Sequence, residues 1–279
     1  MIELKVEKKI ELLPFLLEKT SYSRNKIKSL LKYKSIFVNQ KNMVNYDTLL
    51  KVGDTVSISL EKKEVKIQNI DILYEDKNYL VVNKPSGMLT IATEKEKNRT
   101  LYHMVRSYVK EKDKNQKIFI VHRLDRDTSG IVLFCKDEKL KKKLQENWES
   151  VAVRREYHAV VSGVLEQKKD KLIHFLKENI QNQVYVSKDH QGKKAITNYQ
   201  VIRENRNSLV QILLETGRKN QIRVQFMEIG HPVLGDLKYG KEKSKRLMLA
   251  ATRLDIRDPL TSKILSFEIK VPREFLRNL

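Results

Sequence analysis

The sequence predicts an α+β protein: a catalytic-sized unit on a mixed, mainly antiparallel sheet, preceded by a small α/β unit. Three observations carry that reading. Short apolar runs of strand type recur through most of the chain with few helical stretches between them, and the regular strand–helix alternation of a parallel sheet is absent. Glycine and proline are sparse, 9 and 5 in 279 residues, so where they cluster they mark particular turns and not disorder. An apolar content of 40% can fill a sizeable core, and the length suits one or two domains.

The elements follow in order. Residues 10–17 carry helix-spaced apolar positions, with Pro14 placed in a first turn where its missing N–H does no harm. Ser23 is a plausible N-cap for a second helix whose Ile27, Leu30 and Leu31 share one face. The other face of that helix holds Arg24, Lys26, Lys28, Lys32 and Lys34, with no acidic residue between the first and the last. Strands follow at 36–39 and, after a Gly53-Asp54 turn, at 55–58. A mixed Lys/Glu stretch then places a linker near residues 61–70, which divides the chain into domains 1–65 and 70–279.

Past the linker, 72–74 and 79–82 form a hairpin across Asp76-Lys77-Asn78. Leu101, Met104, Val105 and Tyr108 define an amphipathic helix. Strands are expected at 118–121 and 131–135, and a helix at 137–148 with Lys139, Lys141, Lys142 and Lys143 in solvent. Later strands are expected at 156–161, 195–202, 208–214, 248–254 and 264–269. The sequence contains no internal repeat and no low-complexity tract.

Charge narrows the partner. Fifty-six basic residues against 35 acidic ones give a net charge of +21 and an isoelectric point near 9.8, an excess that points to a polyanion. No apolar run is long enough to span a bilayer, and the N-terminus lacks a signal-peptide core, so a cytoplasmic protein without a membrane role is expected. Cys135 is the single cysteine, which excludes an internal disulfide and a cysteine-rich zinc site; inside an apolar run it reads as a small buried hydrophobe.

The densest polar segment is His122-Arg123-Leu124-Asp125-Arg126-Asp127-Thr128-Ser129-Gly130, a loop between two apolar strands. By itself Asp127-Thr128-Ser129-Gly130 is ordinary turn chemistry, and either aspartate could cap a turn. Two arginines and two aspartates around one leucine exceed what a turn needs, and neighbouring guanidinium groups would keep a carboxylate ionised and aimed. On the residues alone, a turn and a catalytic carboxylate both stand.

With its flanking landmarks, this segment resembles the RluA family of pseudouridine synthases. His-Arg-Leu-Asp followed by Thr-Ser-Gly is that family's catalytic motif, and the resemblance makes Asp125 its catalytic aspartate. Val82-Asn83-Lys84-Pro85-Ser86-Gly87, Arg155-Glu156-Tyr157-His158-Ala159-Val160-Val161-Ser162-Gly163 and Lys193-Lys194-Ala195-Ile196-Thr197-Asn198-Tyr199 resemble further landmarks in the expected order. Thr216-Gly217-Arg218-Lys219-Asn220-Gln221-Ile222-Arg223, Gly230-His231-Pro232-Val233-Leu234-Gly235-Asp236 and Tyr239-Gly240 complete the set, over about residues 70–272. Two positions depart: Asn220 and Gln225 stand where family members often have histidine.

The resemblance implies that Asp125 acts at the ribose anomeric carbon or on the neighbouring sugar proton, that Arg223 pairs with it, and that Tyr157 packs against the uracil. The target uridine flips out of its stack; Arg123 would fill the space it leaves, and Leu247 would line the uracil pocket. No structural role beyond the fold is expected of His122, His158 and His231. The isomerisation gains no atoms, so neither a cofactor nor a metal is required. In the same way, Ser23-Arg24, Val38-Asn39 and Gly53-Asp54 resemble the signature of the S-four-type RNA-binding domain, although Gln40 replaces the usual glycine and implies a different turn. Arg24, Lys26, Lys28 and Lys32 would then contact RNA. Proteins joining two such domains often modify large-subunit ribosomal RNA, so ribosomal RNA is expected ahead of transfer RNA, with the protein acting as a monomer. A glycosylase using the same carboxylate, or a non-catalytic RNA-binding or ribosome-assembly factor, remains the alternative.

Overall fold

The computed structural model describes residues 2–279 apart from 33–34, 42–43, 60–69, 95, 97–98 and 243, and apart from the Lys32 side chain. The expected linker, save residue 70, and the expected contacts of Lys32 and Lys34 therefore lie outside the described residues. The chain divides into two compact units, residues 1–67 and 68–279.

The smaller unit packs helices Leu12–Lys19 and Arg24–Lys32 on a three-stranded antiparallel sheet ordered Ile2–Lys5, Thr55–Ile58, Ile36–Val38. Pro14 falls in the first turn of its helix, as its chemistry requires. Leu12, Phe15, Leu16, Ile27, Val56 and Ile58 form the buried centre of this unit. The Ser23 hydroxyl accepts the Lys26 N–H at 3.3 Å, capping the second helix, and Arg24, Lys26 and Lys28 are exposed. Asn39 joins two loops: its amide donates to Asp54 at 2.8 Å, and its oxygen accepts the Thr55 N–H at 2.9 Å. Gln40 takes φ +66°, the left-handed conformation that glycine adopts without penalty, at the cost of local strain.

In the larger unit one sheet of eleven strands runs Val184–Val186, Lys169–Glu178, Lys193–Glu204, Ser208–Leu214, Arg154–Val161, Leu249–Arg257, Ser129–Cys135, Tyr79–Lys84, Asp71–Glu75. Strands Ile264–Glu268 and Phe119–Ile120 add to its flanks, on Leu249–Arg257 and Ser129–Cys135 respectively. Every pairing is antiparallel except that of Leu249–Arg257 with Ser129–Cys135. The predicted α+β class and the mixed sheet are present. Helices Leu101–Lys112, Glu138–Glu146 and Gln221–Glu228 cover its faces; the first is capped by Thr100 and the second by Asp137. Among the described residues, no helix is long and apolar enough to cross a membrane.

The single parallel junction positions the polar loop. Ser129 pairs with Ala250 and Gly130 with Ala251, so the loop leaves directly onto a buried strand. Gly130 has φ +115°, and a Cβ there would overlap the Ala251 carbonyl. Cys135, at the far end of the same strand, is buried and free, and burial pushes its thiol up to about 12. Gly130→Ala should therefore destabilise the larger unit by more than about 3 kcal/mol in urea unfolding; a cost below about 1 kcal/mol would show that the junction yields.

Candidate active site

The loop 122–130 is held through its backbone. Leu124, 5% exposed, inserts into the apolar cluster of Val82, Val105, Val132 and Ala251 and anchors the loop's middle. Three side chains from the end of Tyr79–Lys84 and the turn after it then grip both sides of Asp125. Thr90 Oγ1 donates to the Leu124 carbonyl at 2.6 Å and accepts the Leu124 N–H at 3.2 Å. Lys84 Nζ donates to the Arg126 carbonyl at 2.9 Å, and Ser86 Oγ to the Asp127 carbonyl at 2.6 Å.

Lys84 is fully buried, and its ammonium also donates to the carbonyls of Pro85 and Met88, at 3.1 and 2.7 Å. Burial outweighs the opposing charges of Asp127 and Asp125 and pushes it down to about 8. The Asp125 side chain, half-buried, makes no hydrogen bond or ion pair among the described residues. Its loop is fixed while its carboxylate is left free.

Arg223 is presented by Gln221–Glu228, a helix whose first six residues are all buried and which is preceded by Asn220 at φ +53°. Here the structure corrects the sequence reading. The two-bond face of the guanidinium goes to Asp236, with Nε and Nη2 donating to its two carboxylate oxygens at 2.7 Å each. Asp236 also accepts the N–H groups of Lys238 and Tyr239, at 2.9 and 3.0 Å. Burial works against charge on both partners; their mutual pairing overcomes it, holding Asp236 below and Arg223 above their ordinary values, and the Asp125 charge adds to the latter. Among the described residues, no direct salt bridge joins Arg223 to Asp125.

The loop arginines do not pair with Asp125 either. Arg126 bonds to Glu96 at 3.0 Å, and Arg123 is exposed beside a cleft of about 260 Å³. Tyr157 and Ala251 line the same cleft. Tyr157 stands at a bulge where its strand's pairing skips Thr252. Burial and then the Asp125 charge, against the opposing Arg155, push its hydroxyl up to about 12. Leu247 is buried with Ile222, Leu249 and the flank of Tyr157. The Asp125 charge therefore reaches both Tyr157 and Arg223.

The departures from the family pattern are internal. Asn220 is buried; its amide donates to the Tyr239 hydroxyl at 3.1 Å, and its oxygen accepts from Arg223 at 3.4 Å. Gln225, with no exposed surface, accepts from Thr197 at 2.6 Å and donates to the Leu172 and Ala195 carbonyls. The histidines hold backbone or strands: His122 Nε2 accepts the Leu133 N–H at 3.1 Å, and burial followed by Arg155 drops its pKa to about 4. His158 bonds to Thr252, and His231 to the Ser162 carbonyl, both at 2.8 Å. Lys84, Ser86, Thr90 and Asp236 are the residues sequence reasoning left without roles. A lysine ending a strand that opens with four buried residues, Tyr79 to Val82, was the available signal for the first.

Residues 78–228 match the family of RNA pseudouridylate synthases. The chain is 30% identical over 280 residues to a protein of Zymomonas mobilis named ribosomal large subunit pseudouridine synthase D, with 91% of this chain and 88% of the relative covered. It is 33% identical over 218 residues to one of Haemophilus ducreyi named tRNA pseudouridine synthase C, covering 69% of this chain and 87% of the relative. The solved structure of human RNA pseudouridylate synthase domain containing 4 shares the fold at a TM-score of 0.63 and 22% identity, over 75% of this chain and 91% of that one.

The Lys84 geometry makes a pH prediction. Its folded pKa near 8 lies below the ordinary lysine value of 10.5, so between those values the unfolded chain binds more protons and the lysine's contribution to stability rises with pH. From pH 7 to pH 10 the difference in unfolding free energy between wild type and Lys84→Met should move in favour of wild type by roughly 1–3 kcal/mol. Parallel pH curves for the two proteins would contradict this.

Proposed function

The chain belongs to the RNA pseudouridylate synthase family, an isomerase family acting on RNA, and from that premise we propose that Asp125 is the carboxylate that works on the ribose, with large-subunit ribosomal RNA as the substrate. The reaction breaks the bond from ribose to uracil nitrogen 1, turns the base and rejoins the sugar to carbon 5, leaving the RNA's mass unchanged. Positive charge develops at the anomeric carbon, and an ionised carboxylate held there stabilises or captures it. The observation that carries this reading is the loop gripped on both sides of Asp125 while its carboxylate stays unbonded.

The other assignments follow from the same geometry. Arg223, held by Asp236, supplies fixed positive charge to the site. Tyr157, with its hydroxyl near 12, is protonated at neutral pH and packs against the flipped uracil as a donor, not as a resting base. Leu247 supports the apolar wall behind it, and Arg123, exposed at the cleft, fills the gap left by the flipped base.

The proposal extends to residues 1–67 as an S-four-type RNA-binding unit. Its support is the capped helix with exposed Arg24, Lys26 and Lys28, and the Asn39–Asp54 bonds that tie together the motif residues. Ribosomal RNA is favoured because the relative named for the large subunit aligns over 91% of the chain, more than the larger unit alone holds.

Pseudouridine mapping of all stable RNAs from cells with and without the gene tests the substrate. Sites should disappear from large-subunit ribosomal RNA, and Asp125→Asn should fail to restore them while still binding RNA. Restoration by Asp125→Asn would remove Asp125 from the mechanism, and sites lost from transfer RNA instead would reassign the substrate. Removing residues 1–67 should weaken RNA binding and flatten its salt dependence, because fewer phosphate contacts release fewer counterions; an unchanged slope would make the basic helix a solvated face only.

A further inference from the structure

The cleft beside Tyr157 contains a buried charge for which the isomerisation as described has no use. Arg155 precedes Tyr157 by two residues on the same strand, so both side chains emerge on one face of the sheet. It is 9% exposed and lines the cleft with Arg123, His122 and Trp148. Its Nη2 donates to the Glu215 carbonyl at 2.7 Å. Its Nε is buried and has no acceptor among the described residues, and no carboxylate there comes within ion-pair distance of the guanidinium. Burial, together with the neighbouring Arg218 charge, opposes its protonated form, yet an arginine keeps its proton.

The other cations in and around the site are treated differently. Lys84 has three carbonyls and Arg223 a carboxylate with two bonds. Arg253, in the same cleft, is bonded to Asp255 and Glu268 at 3.0 and 3.3 Å. Arg155 alone among these is left uncompensated, and an uncompensated buried charge costs several kcal/mol. The cleft lining offers a single carboxylate, Glu149, which is mostly exposed and lies nearest Arg218, at 3.9 Å. The chain also makes room for the guanidinium: a Cβ on Gly217 would stand 3.1 Å from Arg155 Nη1.

We propose that Arg155 is a phosphate seat for RNA, receiving the backbone phosphate next to the flipped uridine in the cleft that it shares with Tyr157 and Arg123. The inference rests on the RNA-modifying reading above. The flipped nucleotide enters beside Tyr157, so the adjoining backbone passes this cleft, and a phosphodiester there supplies the negative charge that the protein withholds. Fixing that phosphate sets how far the target sugar reaches toward Asp125. Arg155 is on this account a positioning residue that touches substrate.

The test measures binding of the full-length protein to a fluorescein-labelled oligouridylate over a series of KCl concentrations, alongside thermal unfolding. Arg155→Gln should lower affinity roughly ten-fold, as expected for one lost charged hydrogen bond, and reduce the slope of log affinity on log salt by about 0.7, the share of one single-strand phosphate. Its melting temperature should equal or exceed that of wild type, because a buried unpaired charge has been removed. Gly217→Ala keeps the charge but crowds Nη1, and should lose affinity while remaining folded. Wild-type affinity and slope in Arg155→Gln, or an Arg155→Gln protein that is unfolded or melts several degrees lower, would overturn the proposal and leave Arg155 a structural residue. Failure of wild type itself to bind would instead overturn the RNA-modifying reading, an outcome the variants cannot mimic.

Discussion

The active-site half of the molecule depends on one constraint: Asp125 must be fixed in space without its own carboxylate being used to fix it. A side chain that is hydrogen-bonded to hold a loop is already spent as a reactant. The protein resolves this by placing hydrogen bonds on the backbone of the residues beside Asp125, with Thr90 on Leu124, Lys84 on Arg126 and Ser86 on Asp127. Leu124 supplies the apolar anchor between them. The buried ammonium is the costliest of these restraints and the most informative. A neutral donor could not serve three carbonyls at once, and the positive charge lies where Asp125 and Asp127 feel it.

The same separation of holding from acting governs Arg223. A guanidinium bonded directly to Asp125 would stabilise that carboxylate and also occupy its lone pairs. Bonded instead to Asp236, which backbone N–H groups fix in turn, it becomes a rigid source of positive potential. Preorganised charge of this kind needs no rearrangement when charge develops on a substrate. Tight packing sustains the arrangement. Gly235, at φ +73°, lets the turn before Asp236 pass against the Arg246 carbonyl, where any side chain would collide.

Much of this was legible in the sequence, and the parts that were not share a cause. A strong apolar run such as 131–135 announced its strand because both faces are buried. The ten-residue strand Lys169–Glu178 did not. Near the sheet edge it buries little beyond Leu172 and Leu176, and its charges read as loop. Strand Ile2–Lys5 was hidden likewise by alternating charge. In the site, the motif order singled out Asp125, Tyr157 and Arg223 as candidates, but partners are a three-dimensional matter. Asp236 is thirteen residues from Arg223 and carries no local sign that it, and not Asp125, receives the fork. Asn220 and Gln225, which depart from the family's histidines, are internal network residues, a placement that hydrogen-bonding capacity in a sequence does not reveal.

The net charge of +21 gains meaning from where charge is and is not paired. Exposed lysines and arginines, such as those on the helix Arg24–Lys32, attract any polyanion and carry little information about which one. Buried cations are different, since each must be answered by specific atoms. Backbone carbonyls answer Lys84, and a carboxylate answers Arg223; both answers are complete in the free protein and build structure. A cation answered only in part within the protein, on a strand that also carries Tyr157, has its remaining demand directed at whatever enters the cleft. On the proposed reading, surface charge gathers RNA, and the few buried cations set the geometry in which one uridine meets Asp125.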